Sequence, residues 1–203
     1  TENCVARNNI IDTVGAIGIP VEGCMNTTVQ GNTVTNTGTG IQVLFSTNTT
    51  VQDNVSNYHG LNQEEPIGDG IAVVGCTNTA IIGNSCIGNT EAGILIALDS
   101  AETFVQNNTT TLNGIWGIND TDNAGQVSSF FNKSCDNGVA NCVNVPLAQT
   151  PGDSTYMFGS NLCCSNPESL AGVKKAKAAA TANPSDPSRS PKAEPAPELS
   201  IFP

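Results

Sequence analysis

Apolar residues in the first two-thirds of the chain come in short runs that alternate with small or polar residues, and the runs recur. NTTVQGNTV (26–34), NTTVQDNVS (48–56), NTAIIGNSC (78–86) and TFVQNNTTT (103–111) each set a β-branched residue three positions before an asparagine. Each leads into a Gly-Ile phrase: GIQV (40–43), GIAV (70–73), GILI (93–96) and GIWGI (114–118). VARNNI (5–10) and GIPV (18–21) form a first copy. No stripe of apolar residues at helical spacing appears, so the runs predict strands. Tracking the pivotal asparagine as Asn8, Asn32, Asn54, Asn84, Asn108 and Asn132 gives steps of 24, 22, 30, 24 and 24 residues. A single copy cannot bury its own inner face, so the copies must stack as coils. Parallel strands ~4.8 Å apart would make six coils a rod about 29 Å long.

Stacking assigns jobs to the recurrent residues. Val5, Val29, Val51, Ile81 and Val105 are expected to form one interior column, and Ile19, Ile41, Ile71, Ile94 and Ile115 another. The pivotal asparagines would suit corners that need positive φ, and their amides can bond along the stack as a ladder. Alternate positions of the Gly-Ile strands point outward. Gln42, Ala72, Leu95 and Trp116 fall there, with Leu44, Val74 and Ala97 beyond them. So apolar an outer face implies coverage by the chain itself or by a partner, a second copy of the chain included, or a Trp-bearing groove that stacks on sugar rings. Ile115 and Ile118 cannot both keep strict alternation, so the register at GIWGI stays open.

The phrase N-x-x-V-x-x-N followed by G-I-x-V, over residues 3 to about 140, resembles the parallel β-helix repeat of the pectin-lyase-like superfamily. That resemblance implies an all-β, right-handed parallel β-helix of about six coils. The superfamily includes polysaccharide lyases and hydrolases, nitrous-oxide-reductase accessory proteins, adhesins and phage tailspikes, so the likeness specifies fold rather than activity. The expected organisation is a β-helix over 1–143, then an irregular segment over 144–165 that is no further coil and packs on or caps the rod. A short helix follows over 166–183, where Asn166 suits the N-cap and Pro167 the first turn, and a Pro-rich disordered tail over 184–203. Thr1 falls directly before a repeat, from which we expect the chain to be a mature or excised piece of something longer.

Charge narrows the partners. Residues 1–165 hold fourteen acids against two bases, Arg7 and Lys133, which disfavours nucleic acid and favours cations or neutral and basic partners. No apolar run is long enough to span a membrane. Of eight cysteines, Cys24 and Cys76 share a coil position two rungs apart, too far for a bridge, and read as small buried hydrophobes. Cys135 and Cys142 flank DNGVAN and can close a small loop, and the vicinal Cys163-Cys164 pair is weak metal evidence. Asn-x-Ser/Thr sequons lie mostly on the repeat, where asparagine and threonine are wanted for turns, and carry no weight for localisation.

Three places hold candidate chemistry. The third coil is eight residues longer than the second, and its extra stretch YHGLNQEEPIGDG (58–70) carries the only histidine, His59, with Glu64, Glu65 and Asp69. This set suits acid–base work or a divalent cation such as calcium, the one cofactor entertained; a solvated loop is the plainer reading. The outward face offers Gln42, Leu95 and Trp116 as ligand contacts. Asp99, Asp120 and Asp122 follow the strands of the fourth and fifth coils, with Asp99 and Asp120 expected to face each other across a rung as a hydrolytic pair. Ordinary turn capping explains such aspartates equally well. The superfamily's lyases rely on Arg or Lys and its hydrolases on a G-H-G turn and an R-I-K run, and the rod lacks these patterns. The expectation is therefore a non-catalytic module of a surface or secreted protein, structural or contacting a polysaccharide or protein. A polysaccharide lyase, hydrolase or epimerase using Asp99, Asp120, Asp122 and His59 is the alternative. A metal-delivering accessory protein is a third reading.

Overall fold

The alternating runs fold into short strands that stack as three parallel sheets. The computed structural model describes residues 1–13, 15–60, 68–121, 127–143 and 161–164. Among these, the first sheet runs Val5–Arg7, Met25–Gln30, Thr47–Gln52, Thr77–Ile82, Thr103–Gln106 and Val127–Phe130. The second begins at Ile10–Asp12, Thr33–Thr35 and Val55–Asn57 and continues through Ser85–Ile87, Thr109–Thr111 and Lys133–Cys135. The third is built from Ile17–Glu22, Thr39–Leu44, Ile71–Val74, Ala92–Ala97, Trp116–Asp120 and Ala140–Val143. Each coil visits the three sheets in turn, which makes an all-β solenoid. No helix among the described residues is long and apolar enough to cross a membrane. The helix expected over 166–183, the tail, and Glu64, Glu65 and Asp122 lie outside the described residues.

Register fixes the interior. Val29, Val51, Ile81 and Val105 stack as expected, but Ala6 and not Val5 begins their column, and Val5 is exposed. In the third sheet Ile19, Ile41, Ile71 and Ile94 continue to Ile118, so the expected place of Ile115 is corrected by one Gly-Ile phrase. The reason is steric. A Cβ on Gly93 would stand 2.7 Å from the carbonyl oxygen of Gly117 and 2.8 Å from Asn113 Nδ2. At the rung above, a Cβ on Gly117 would fall against Ser134 Oγ and the Asn141 carbonyl, so glycine is needed there too, and Gly117 is followed by Ile118. Burying each of these isoleucines stabilises the fold by about 1.5–3 kcal/mol. The interior grows polar toward the last coils. Val21, Val43, Val73 and Ile96 give way to Asp120, and Ile11 and Val34 to Ser56, Cys86, Thr110 and Ser134.

The bend between the first two sheets takes two residues, and one must be left-handed. That residue is Asn8, Gly31, Asp53, Gly83, Asn107 or Phe131, with φ between 53° and 66°. Asn8 has the expected positive φ, but Asn32, Asn54, Asn84, Asn108 and Asn132 stand one position later, so for these five the expectation is corrected: the preceding residue takes the left-handed conformation. Phe131 in this conformation costs about 1–2 kcal/mol. A strand at Leu162–Cys163 also pairs in parallel with Lys133–Cys135, giving the second sheet a seventh member. Of the segment over 144–165, residues 161–164 are described.

Candidate functional site

Two asparagine ladders line the corners on either side of the second sheet. In the first, the backbone N–H of Asn9, Asn32, Asn54, Asn84, Asn108 and Asn132 donates to Oδ1 of the next ladder asparagine, at 2.8–3.1 Å and ending on Asn161. Asn9, and not Asn8, is the first member. Each inner amide is fully used: Asn108 Nδ2 donates to Asn132 Oδ1 at 2.9 Å and to the carbonyl of Ile81 at 2.8 Å. The second ladder escaped the sequence reading. His59, Asn89, Asn113 and Asn137 donate their backbone N–H to Oδ1 of Asn89, Asn113, Asn137 and Asn141, at 3.0–3.1 Å. Its signal is a second asparagine five residues after the first, as in NSCIGN and NTTTLN.

His59 occupies the asparagine position of this ladder in the third coil. Thr37 N–H donates to its Nδ1 at 3.2 Å, the job Oδ1 does elsewhere. Nδ1 must then be the acceptor, and the proton sits on Nε2, 3.0 Å from Ser56 Oγ. Ser56 Oγ in turn donates to the carbonyl of Gly70 at 2.6 Å. The ring is 0 % exposed, and burial pushes its pKa down to about 4. Protonating Nδ1 would also take from Thr37 N–H its acceptor. Asp69 lies near the same corner, 6 % exposed, with Oδ1 accepting from Ala92 N–H at 3.0 Å. Burial pushes this carboxyl up to about 7, partly opposed by the Ala92 bond. Cys86 is buried too, and desolvation followed by the Asp69 charge pushes its thiol up. These groups sit in the wall of the rod, where a polymer cannot reach them.

Asp99, Asp120 and Trp116 belong to other parts of the coil. Asp120 stands opposite Ile96 in the interior column, 3 % exposed, while Asp99 lies in the exposed turn after the neighbouring strand at φ 52°. The expected pairing of Asp99 with Asp120 across a rung is therefore corrected: one side chain belongs to a strand's inner column and the other to a turn. Gln42, Ala72 and Leu95 do align on the outward face of the third sheet, but Asn119 and not Trp116 continues the row. Trp116 falls between Ala92 and Ala140, half-buried, because Ile118 takes the isoleucine register. Ala72 and Asn119 are both buried although they face outward.

The cysteines divide by coil. Cys135 pairs with Cys164 and Cys142 with Cys163, which replaces the expected Cys135–Cys142 loop. The seventh strand of the second sheet brings Cys163 and Cys164 alongside the sixth coil. Cys4, Cys24, Cys76 and Cys86 are free thiols, the last two buried. Among the described residues no three His, Cys, Asp or Glu side chains gather as a metal set.

A family model described as the right-handed beta helix region matches residues 1–150. Comparison with curated proteins finds no match.

Proposed function

Because the chain belongs to the right-handed β-helix family, we propose that it works as a non-catalytic rod of a surface or secreted protein, structural or contacting a polysaccharide. The observation that carries this reading is the use made of His59 and Asp69. Of the loop set His59, Glu64, Glu65 and Asp69, the two described members are spent on backbone bonds inside the wall, with the imidazole and the carboxyl both shut away from solvent. Two disulfides between the sixth coil and the strand beside it favour an oxidising compartment, in keeping with export. Polysaccharide contact fits the outer rows of the first sheet, where Gln30 and Gln52 stand in register beside Thr28 and Thr50 and present donors and acceptors at the rung spacing.

Incubation with a panel of neutral and acidic polysaccharides tests the proposal. Reducing ends and unsaturated-uronate absorbance report cleavage, and affinity electrophoresis in polysaccharide gels reports contact. The reading expects no new ends, with retardation in one or more gels if the role is contact. Product formation that Asp120→Asn abolishes, with the circular dichroism unchanged, would replace it with the enzyme reading.

A further inference from the structure

The chain holds two Asn-Gly pairs, Asn113-Gly114 and Asn137-Gly138, and both asparagines are members of the second ladder. Each is 1 % exposed. Asn113 Oδ1 accepts from the backbone N–H and from Nδ2 of Asn89 at 3.0 and 2.9 Å. Its Nδ2 donates to the Cys86 carbonyl at 3.1 Å and to Asn137 Oδ1 at 2.9 Å. Asn137 Nδ2 likewise donates to the Thr110 carbonyl at 3.1 Å and to Asn141 Oδ1 at 2.8 Å. The glycine N–H groups are engaged as well: Gly114 donates to the Asn89 carbonyl at 2.7 Å and Gly138 to the Asn113 carbonyl at 2.8 Å. Glycine cannot be given up at the first pair, since a Cβ on Gly114 would fall against the Thr90 carbonyl. The exposed asparagines Asn26, Asn48 and Asn78 stand in other company, each before a threonine.

A glycine after asparagine leaves the backbone nitrogen most free to reach the side-chain amide, because no Cβ restricts the approach. We propose that Asn113 and Asn137 are deamidation sites that the fold keeps silent and unfolding exposes, so that a chain held open loses the means to close again. The Gly114 nitrogen, giving up its proton, attacks the side-chain carbonyl carbon of Asn113, and the bond to Nδ2 breaks as ammonia leaves with that proton. Water then opens the five-membered imide, on one side to aspartate and on the other to isoaspartate. One amide and one water become one carboxyl and one ammonia. Asn137 and Gly138 react in the same way. In the folded wall both partners are held back, the glycine N–H by a carbonyl of the neighbouring coil and the amide by its ladder bonds. The product cannot rejoin the ladder. Where Asn113 Nδ2 gave two hydrogen bonds, a carboxylate oxygen would face the Cys86 carbonyl and Asn137 Oδ1, acceptor against acceptor in a buried place. Isoaspartate also lengthens the backbone at a corner whose register the neighbouring rungs fix.

Peptide mapping tests the proposal. The protein, with its disulfides intact, is incubated in mildly alkaline buffer with and without denaturing urea and sampled over days. Each urea sample is diluted and separated by size exclusion into refolded and unfolded fractions, and every fraction is mapped for aspartate and isoaspartate. Without urea, conversion at Asn113 and Asn137 should be slower by about a hundredfold or more, since it waits on local opening of the ladder. In urea these two should convert ahead of every other asparagine, and the converted chains should collect in the fraction that does not refold. Equal rates with and without urea would overturn the proposal. So would conversion of Asn26, Asn48 or Asn78 ahead of the pair, or aspartate at either position in chains that recover the native circular dichroism.

Discussion

The side chains that suggest chemistry here are held by backbone partners, and those partners set their protonation. His59 keeps its folded pKa near 4 against an ordinary value near 6.5. As pH falls through that window the unfolded chain takes up a proton the folded chain refuses, so stability drops. Asp69 behaves in reverse, with a folded pKa near 7 against 3.8. As pH rises through its window the unfolded chain releases a proton the folded chain keeps, and stability drops in that direction. The two slopes oppose each other across the acidic range, each on the order of 3 kcal/mol. Asp69→Asn should expose the histidine slope, with urea midpoints falling from pH 6.5 to 4.5. His59→Asn, which installs the ladder's usual side chain, should expose the other, with midpoints rising. Parallel profiles for the two variants would contradict this account. Within the first ladder, Asn108→Ala strands the Asn84 N–H and the Ile81 carbonyl inside the wall and should cost about 3 kcal/mol or more. Asn78→Ala, in an exposed row where the side-chain amide donates to Asn48 Oδ1, should cost about 1 kcal/mol. Comparable losses from the two would mean the inner ladder carries no special weight.

At the scale of the strand and its corner, close approach between rungs decides what is tolerated. Gly93→Ala drives a methyl group toward the backbone of the next coil and should destabilise by about 2–3 kcal/mol in thermal or urea melts. Gly15→Ala, with no atom within 4 Å of the added carbon, should change stability by less than about 0.5 kcal/mol. The repeat was legible because it is written twice, once as V-x-x-N and once as G-I, and both phrases mark contacts every coil must make. Errors gathered where the phrases lose their neighbours or double up. Ala6 and Asn9 were each misplaced by one residue in a first coil whose VARNNI offers two asparagines. In GIWGI two Gly-Ile phrases compete, each with a glycine pressed against a neighbouring rung, and the register that pairs Ile94 with Ile118 places Ile118 inside. His59 looked like loop chemistry because the second ladder is spelled with asparagine in later coils and with histidine or threonine in earlier ones. The pairing of Cys163 and Cys164 was invisible because no repeat phrase announces the strand that carries them.

For the whole molecule, the solenoid makes stability a sum over neighbouring rungs, and the last coil has fewer neighbours among the described strands. The disulfides at Cys135–Cys164 and Cys142–Cys163 offset that deficit. Selective phosphine reduction followed by hydrogen exchange should therefore speed exchange at Lys133–Cys135 and Ala140–Val143 while leaving Thr47–Gln52 protected. Uniform loss of protection would argue against this quasi-linear assembly. The placement of His59 joins all three scales, since it links the second coil to the fourth through the second ladder and takes one catalytic candidate away from the surface. As the chain has a single histidine, a nitrogen-detected imidazole titration reads it without assignment ambiguity. We predict one imidazole, protonated at Nε2 and neutral down to about pH 4. An imidazole that titrates near 6.5, with both nitrogens exchanging freely with water, would contradict the account.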